Sequence, residues 1–378
     1  MKNIPLLRLD YSDEDIDYIQ KGILDVIKSG YLTMGKKVEE FEAEFAKYIG
    51  TKYAVAVNSG TSSLEIMLRS FGVKGKTVIV PTVTFMATPI SVIHAGGKVA
   101  FVDVTKEDLS IDPEDLKRKI APDTAGVIIV HIGGIISSHY QEIEKICKDM
   151  GLFLIEDAAH AHGSSLNGVK AGALSIGGSF SFYPTKILTT AEGGMITTND
   201  ENIYKMALTL REHGKPDHNV NVHTEFGYNW RFSEIHALLG LQQMRKVDYI
   251  IAERRRLAKL YDKKLANLKG IKLLPFPKEM QCAYYKYILY LDDKFDRAVV
   301  KRTMREKFGV ALPGEVYSDA CHSQPVFQRY PDTMVNAEGD LFPNADYVCS
   351  RQICLPLYPS LKDDELDYIA DSLKKVLS

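Results

Sequence analysis

The stretch YAVAVNSGTSSLEIMLRS, residues 53–70, passes from a short apolar strand pattern through a polar turn straight into a helical pattern. The same junction recurs down the chain. VIVP (78–81) precedes a helix over 86–95, VAFVDV (99–104) one over 112–119, and GVIIVH (126–131) one over 140–150, before FLIED (153–157). Continuous apolar strands alternating with helices are the mark of βαβ units, because a parallel sheet needs long crossovers and is covered on both faces. The fold class is therefore α/β, with a largely parallel, buried sheet. GGSFSF (177–182) and GGMITT (193–198) read as two further strands.

Working outward, Ser12 caps an amphipathic helix with apolar residues at Ile16, Ile19, Ile23 and Ile27, and a second helix runs from Lys37 to Tyr48 and stops at Gly50. Downstream, one long helical region extends from Ser233 towards Leu268, CAYYKYILYL (282–291) has a strand pattern, and later elements are shorter and mixed. A chain of 378 residues exceeds the usual size of one core. The division expected is a large domain over 1–245, including the N-terminal helices, and a smaller C-terminal α+β domain over 246–378.

Net charge of -2 and the lack of any Lys/Arg block give no electrostatic footprint for nucleic acid or an anionic membrane. No stretch reaches transmembrane length. Five scattered cysteines without a C-x-x-C pair read as free thiols of a cytoplasmic protein, and ten histidines include no pair at metal-ligand spacing. Small-molecule partners and no metal are expected.

Three segments carry candidate chemistry. In Asn58-Ser59-Gly60-Thr61 an apolar strand ends and a helix starts at once. Free N–H groups at a helix N-terminus, approached closely at Gly60, suit a phosphate, although an ordinary Ser/Thr cap has the same residues. At Glu156-Asp157 an apolar strand runs into two acids. Ligands of parallel sheets bind beyond the carboxyl ends of strands, so one acid should face the pocket and its neighbour away from it. In SFSFYPTK (179–186), Lys186 sits in an apolar, hydroxyl-rich turn bounded by Gly193 and Gly194, where burial lowers an amine towards nucleophilic use. A phosphate cradle, an acid able to hold a protonated pyridine and a lysine nucleophile are the parts a pyridoxal-phosphate (PLP) enzyme requires.

On these segments the chain resembles the sugar aminotransferases of the DegT/DnrJ/EryC1/StrS family, within fold type I of PLP enzymes. The similarity runs through GKKVEEFEAEFAKYIG (35–50), NSGTSSL, PTVTFMAT (81–88), EDAAHAHG (156–163), SFSFYPTK, EGG (192–194) and GYNWRFSEIHALLGLQQ (227–243), and more weakly through CHSQPVF (321–327) and CLPLYP (354–359). The resemblance implies a catalytic pair: Lys186 carries PLP as a Schiff base and shuttles a proton, and Asp157 pairs with the pyridine nitrogen. It implies that His160 bonds the phenolic oxygen and that Phe85 lies on a ring face. Phosphate contacts come from Gly60, Thr61 and Ser181, and from Asn229 of a neighbouring subunit, so the active sites are shared across a homodimer. Tyr183, Arg231 and His322 are candidate substrate contacts, with His162 a further residue near the site.

The reaction implied moves an amino group from L-glutamate to a keto sugar, a nucleotide-linked 4-keto-6-deoxyhexose or its 3-keto isomer. A cyclitol ketone or other non-nucleotide keto sugar is the alternative acceptor. A non-catalytic PLP-binding regulator is the alternative of another class. Sugar dehydratases of the same family have His in place of the lysine, which Lys186 argues against. Three positions depart from the commonest family pattern: Tyr183 stands for His, Ile187 for Asn and Ala191 for Gly. The segment HIGGIISSHYQEI (131–143) is also unlike the familiar form of that loop.

Overall fold

A computed structural model of the chain describes residues 2–217, 219–336 and 339–378. The central sheet has seven strands: β1 (Tyr53–Val57), β2 (Thr77–Pro81), β3 (Lys98–Val102), β4 (Thr124–Val130), β5 (Phe153–Asp157), β6 (Gly177–Ser181) and β7 (Gly194–Thr198). Their order is β1-β7-β6-β5-β4-β2-β3, and β7 alone runs against its neighbours. The helices of this half are α1 (Asp13–Ser29), α2 (Lys36–Ile49), α3 (Gly60–Ser70), α4 (Ala87–His94), α5 (Pro113–Lys119), α6 (Tyr140–Asp149), α7 (Glu201–Arg211) and α8 (Glu234–Arg245). The strands are buried almost throughout, as their unbroken apolar runs require.

The expected helix from Ser233 to Leu268 is two helices. Lys246 leaves helical geometry at φ -116°, ψ 4°, separating α8 from α9 (Val247–Leu265). No Gly or Pro marks the break; Lys246 Nζ reaches back to Asp15 at 2.6 Å, which fixes α1 at the junction. α1 itself has the capping box Ser12–Asp15 and ends at Gly30 in the left-handed conformation. Its apolar stripe remains largely uncovered in the single chain: only Val26 is buried, and Ile16 and Ile27 are exposed.

A second core forms around a three-stranded antiparallel sheet, β8 (Ile271–Leu273), β9 (Tyr287–Leu291) and β10 (Gln352–Leu355), packed by α9, α10 (Arg297–Phe308) and the C-terminal helix Asp363–Leu377. The N-terminus joins this core. Ile4 bridges Val310 and is buried there, whereas the division at 245/246 groups it with the large domain. Of the expected strand CAYYKYILYL only 287–291 is strand, because three carbonyls ahead of it go to side chains of α9 instead of to a sheet neighbour: Arg255 takes that of Cys282, and Arg254 those of Tyr284 and Tyr285. Among the described residues no helix is long and apolar enough to cross a membrane.

Candidate active site

The carboxyl ends of β1, β2, β4, β5 and β6 open on one cavity of about 520 Å³, lined on its inner side by Ser59, Gly60, Thr61, Thr84, Phe85, Val130, Asp157, His160 and Ser181. Because β7 runs in the opposite sense, it starts at this edge, with Gly193 on the cavity wall.

At one end lies the N-terminus of α3. Ser59 caps it by accepting from Ser62 N–H at 3.1 Å, which leaves the N–H groups of Gly60 and Thr61 without a partner among the described residues. The turn is pressed against β6 and β7. A Cβ on Gly60 would meet Ser181 Cβ at 3.0 Å, and one on Gly194 would meet the Ser59 carbonyl at 2.2 Å. The glycines thus let two backbones close into a small corner beside the Ser181 hydroxyl, where the open N–H groups suit an anion.

Strand alternation separates the two acids as expected. Glu156 is fully buried on the far side, where Oε1 accepts from the N–H groups of Leu174 and Ser175 and Oε2 from Gly172 N–H and the His131 ring. It anchors the 172–175 loop. Asp157, the last residue of β5, faces the cavity; it accepts from Thr88 Oγ1 at 2.7 Å and from Ala159 N–H at 3.2 Å, and no cation pairs with it within ion-pair distance among the described residues. Burial raises its pKa, opposed by those hydrogen bonds and by the charge of Lys186. A buried carboxylate lacking a cation fits a ligand that brings a protonated nitrogen.

Lys186 leaves a tight turn held by the hydrogen bonds Lys186 N–H to Tyr183 carbonyl and Thr190 N–H to Phe182 carbonyl, and pegged into the core by Ile187 and Leu188. Burial lowers its pKa to about 8, against the pull of Asp157 and with help from the charge of Lys286. Its Nζ lies 5.0 Å from the ring centre of Tyr285. His160 stacks on the same ring at 4.1 Å and is held neutral, its pKa pushed well below the usual value by burial and by Lys186 and Lys286. Gly133 N–H points at His160 Nδ1 at 3.4 Å, which places the ring proton on Nε2 as a donor.

Of the residues singled out by sequence, the structure brings Gly60, Thr61, Phe85, Asp157, His160, Ser181, Tyr183 and Lys186 to this cavity. Phe85 is 61% exposed and faces Tyr317 at 6.1 Å. Asn229 and Arg231 line a neighbouring cavity of about 350 Å³ with Thr33 and His236, joined to the first through Glu192. Arg231 is engaged by Glu212 at 2.9 Å. His322 does not line the cavity: it stacks on Phe342 at 4.2 Å and its Nδ1 meets Thr82 Oγ1 at 2.6 Å, so it packs the C-terminal segment onto the loop after β2. His162 is sealed among Phe45, Phe180 and Phe182 with its pKa lowered to about 3 by burial.

Thr84 and Thr88 stand in the quoted motif PTVTFMAT without an assigned role, yet Thr88 orients Asp157. Tyr285, Lys286, Glu315 and Tyr317 form a whole cavity wall unread in the sequence. Only the aromatic density of CAYYKY hints at it.

The profile described as the DegT/DnrJ/EryC1/StrS aminotransferase family matches residues 13–374. The GDP-perosamine synthase of Vibrio cholerae is 32% identical, over 94% of this chain and 95% of that protein. The UDP-4-amino-4,6-dideoxy-N-acetyl-beta-L-altrosamine transaminase of Campylobacter jejuni is 30% identical, over 96% and 94%. Among solved structures, NtdA from Bacillus subtilis with bound cofactor PMP superposes with a TM-score of 0.90 at 27% identity, covering 100% of this chain and 86% of that one.

Proposed function

Because the chain belongs to the DegT/DnrJ/EryC1/StrS aminotransferase family and is a PLP-dependent sugar aminotransferase, we propose that it moves the amino group of L-glutamate to a nucleotide-linked 4-keto-6-deoxyhexose, or to the 3-keto isomer. The names of the relatives support this acceptor class: the Campylobacter protein is named for a 4-amino-4,6-dideoxy sugar on UDP and the Vibrio protein for a GDP sugar. A Micromonospora relative, 28% identical, is named for a 3-amino-3,4,6-trideoxy sugar on dTDP. We further propose a cytoplasmic homodimer.

The observation that carries the reading is the single cavity in which the open N–H groups of Gly60 and Thr61, the cation-free carboxylate of Asp157 and the Lys186 amine converge. These residues fit PLP. The α3 N-terminus and Ser181 would hold the phosphate, Asp157 the ring nitrogen, His160 Nε2–H the phenolic oxygen and Phe85 a ring face. Bound there, PLP supplies an electron sink for a carbanion next to the transferred nitrogen. Lys186, with a pKa near 8, keeps a useful neutral fraction at physiological pH, and its Nζ can take the proton from the donor's α-carbon and later return one to the acceptor carbon. The hydrogen bonds from Thr88 and Ala159 favour the ionised form of Asp157 against the effect of burial, and a protonated ring nitrogen beside it would favour that form further.

The test is incubation with glutamate and a panel of GDP-, UDP- and dTDP-linked keto sugars, with products read by mass. An aminated nucleotide sugar is expected. Failure with every sugar alongside success with a cyclitol ketone moves the acceptor to the other class. Lys186→Ala should remove both the covalent yellow chromophore and turnover.

A further inference from the structure

The wall opposite the sheet contains a second lysine that the chemistry above does not use. Lys286 is half-buried, lines the cavity with Tyr285 and Glu315, and has no carboxylate within ion-pair distance among the described residues. Glu315, the nearest candidate, is taken by Lys301 at 2.5 Å and approached by Arg297. Behind the wall, the buried Arg254 bonds the carbonyls of Tyr284 and Tyr285 and has no carboxylate partner among the described residues. Lys286 therefore faces the cavity without a direct ion pair among the described residues, a costly arrangement for a part-buried ammonium that an incoming anion relieves.

The backbone is built to hold it there. Tyr284 adopts φ 53°, a left-handed conformation that bulky residues avoid, and is locked by Cys282 Sγ accepting its N–H and by Arg254 on its carbonyl. Strain of this kind persists where the surroundings over-determine it, and it is common at ligand sites. Here it turns the chain so that Tyr285 and the following Lys286 line the cavity. Both lysine ammonium groups lie close to the one Tyr285 ring, Lys186 at 5.0 Å and Lys286 at 5.2 Å from its centre. An anion on Lys286 thus sits near the reacting centre.

We propose that Lys286 is a specificity-determining residue that receives an anionic oxygen group of a substrate, either a carboxylate of the amino donor or the diphosphate of the sugar nucleotide. This rests on the aminotransferase reading but is tested apart from it, by binding. The PLP-loaded wild type, Lys286→Met and Lys286→Arg are titrated by calorimetry with glutarate, a dicarboxylate that cannot react, and with GDP and UDP. Lys286→Met should weaken one probe about ten- to hundred-fold, the scale of a lost charge-assisted hydrogen bond, and Lys286→Arg should restore most of it. A loss confined to glutarate assigns the donor carboxylate; a loss confined to the nucleotides assigns the diphosphate. Equal binding by wild type and Lys286→Met, or no binding of either probe to wild type, overturns the proposal. So does a general loss in which the thermal midpoint and cofactor absorbance fall together with both affinities, since that is a structural role; Lys286→Gln takes the place of the Met variant if the latter does not fold. Lysine-dependent glutarate binding in a protein that aminates no sugar would uphold this contact while the acceptor assignment fails.

Discussion

Thr88 Oγ1 donates a 2.7 Å hydrogen bond to Asp157 Oδ2 and lies 2.8 Å from Thr84 Oγ1. Since the single Thr88 proton goes to the carboxylate, Thr84 is the donor in the second bond, and the two hydroxyls form a relay ending on Asp157. Thr88 lies in α4 and Asp157 at the end of β5, so the relay ties the helix after β2 to the acid on the cavity floor. Thr88→Val keeps the shape and removes the bond. A hydrogen bond to a charged acceptor contributes about 1.5–3 kcal/mol, so PLP affinity should fall about ten- to hundred-fold. Titration of the apoprotein with PLP, followed by absorbance, measures this; unchanged affinity would show that Asp157 needs no such support.

The buried amine of Lys186 has a stability signature of its own. Its folded pKa, about 8, lies below the unfolded value near 10.4. Below pH 8 both states are protonated and the fold carries the whole cost of the buried charge. Between about pH 8 and 10.4 the unfolded chain binds more protons, so this group makes stability rise with pH until the cost is gone. In the cofactor-free protein Lys186→Met should therefore be more stable than wild type at pH 7, and the gap should close by pH 10.5. Urea unfolding at a series of pH values reads the gap directly, and a constant difference would contradict the burial argument.

How far the sequence leads depends on whether a feature is local. Asp157 was legible because an apolar strand ends on it and strand alternation separates it from Glu156, and Gly60 because strand and helix meet there without a linker. The largely parallel sheet was legible from the strand-helix alternation, but its order was not: β1 lies at the far edge beside the reversed β7, and β2 lies between β3 and β4. Lys286 and Tyr317 were not legible. Their approach depends on a left-handed turn at Tyr284 that has no glycine to announce it, on two arginines of α9 that draw residues 282–285 out of the strand, and on docking of the small sheet. The break at Lys246 likewise depends on a contact with Asp15, 231 positions away, and not on a helix breaker.

Ala191, which stands where relatives often have Gly, adopts φ 70°. Its N–H is held by Thr189 Oγ1 at 3.0 Å, so the turn that carries Lys186 enforces the left-handed conformation. The conformation costs a residue with a Cβ roughly 1–2 kcal/mol, and glycine's extra unfolded-state entropy offsets about 0.4–1 kcal/mol of that. Ala191→Gly should therefore stabilise the protein by about 0.5–1 kcal/mol and raise the melting temperature by roughly 1–2 °C. Scanning calorimetry checks it, and a lowered midpoint would mean that the turn relaxes in solution.

Asn229 bears on the proposed shared site. It lines the cavity next to that of Lys186, in a region where the 31–34 segment pairs with 232–234 and leaves Tyr31 74% exposed, close to the uncovered stripe of α1. If a partner covers this apolar surface and Asn229 reaches the partner's phosphate site, Asn229→Ala and Lys186→Ala are each inactive but complement each other. A mixed dimer then has one intact site, and random re-pairing should restore about a quarter of wild-type activity. Refolding the two variants together and assaying the mixture tests this. Activity no higher than that of the separate variants would place Asn229 and Lys186 in the same site of one chain, or remove Asn229 from the chemistry.

Gly194 is the steric key of the proposed phosphate corner. It pairs with Val57 of β1 on one side and Ser181 of β6 on the other, directly under the Ser59–Gly60 turn. A Cβ there would lie 2.2 Å from the Ser59 carbonyl and 2.6 Å from Gly60 N, and backbone held by two strands cannot move aside as a side-chain tip can. Gly194→Ala should push the α3 N-terminus away from Ser181 by about an ångström and cost roughly 1–3 kcal/mol in stability, the usual range for overpacking. Because the displaced groups are the N–H donors of Gly60 and Thr61, PLP affinity should fall more than tenfold. The informative comparison is the variant's affinity for PLP against its affinity for pyridoxal, which lacks the phosphate. If the corner binds phosphate, the substitution weakens PLP and leaves pyridoxal nearly unchanged; equal weakening of both would locate the damage at the ring end of the cavity instead.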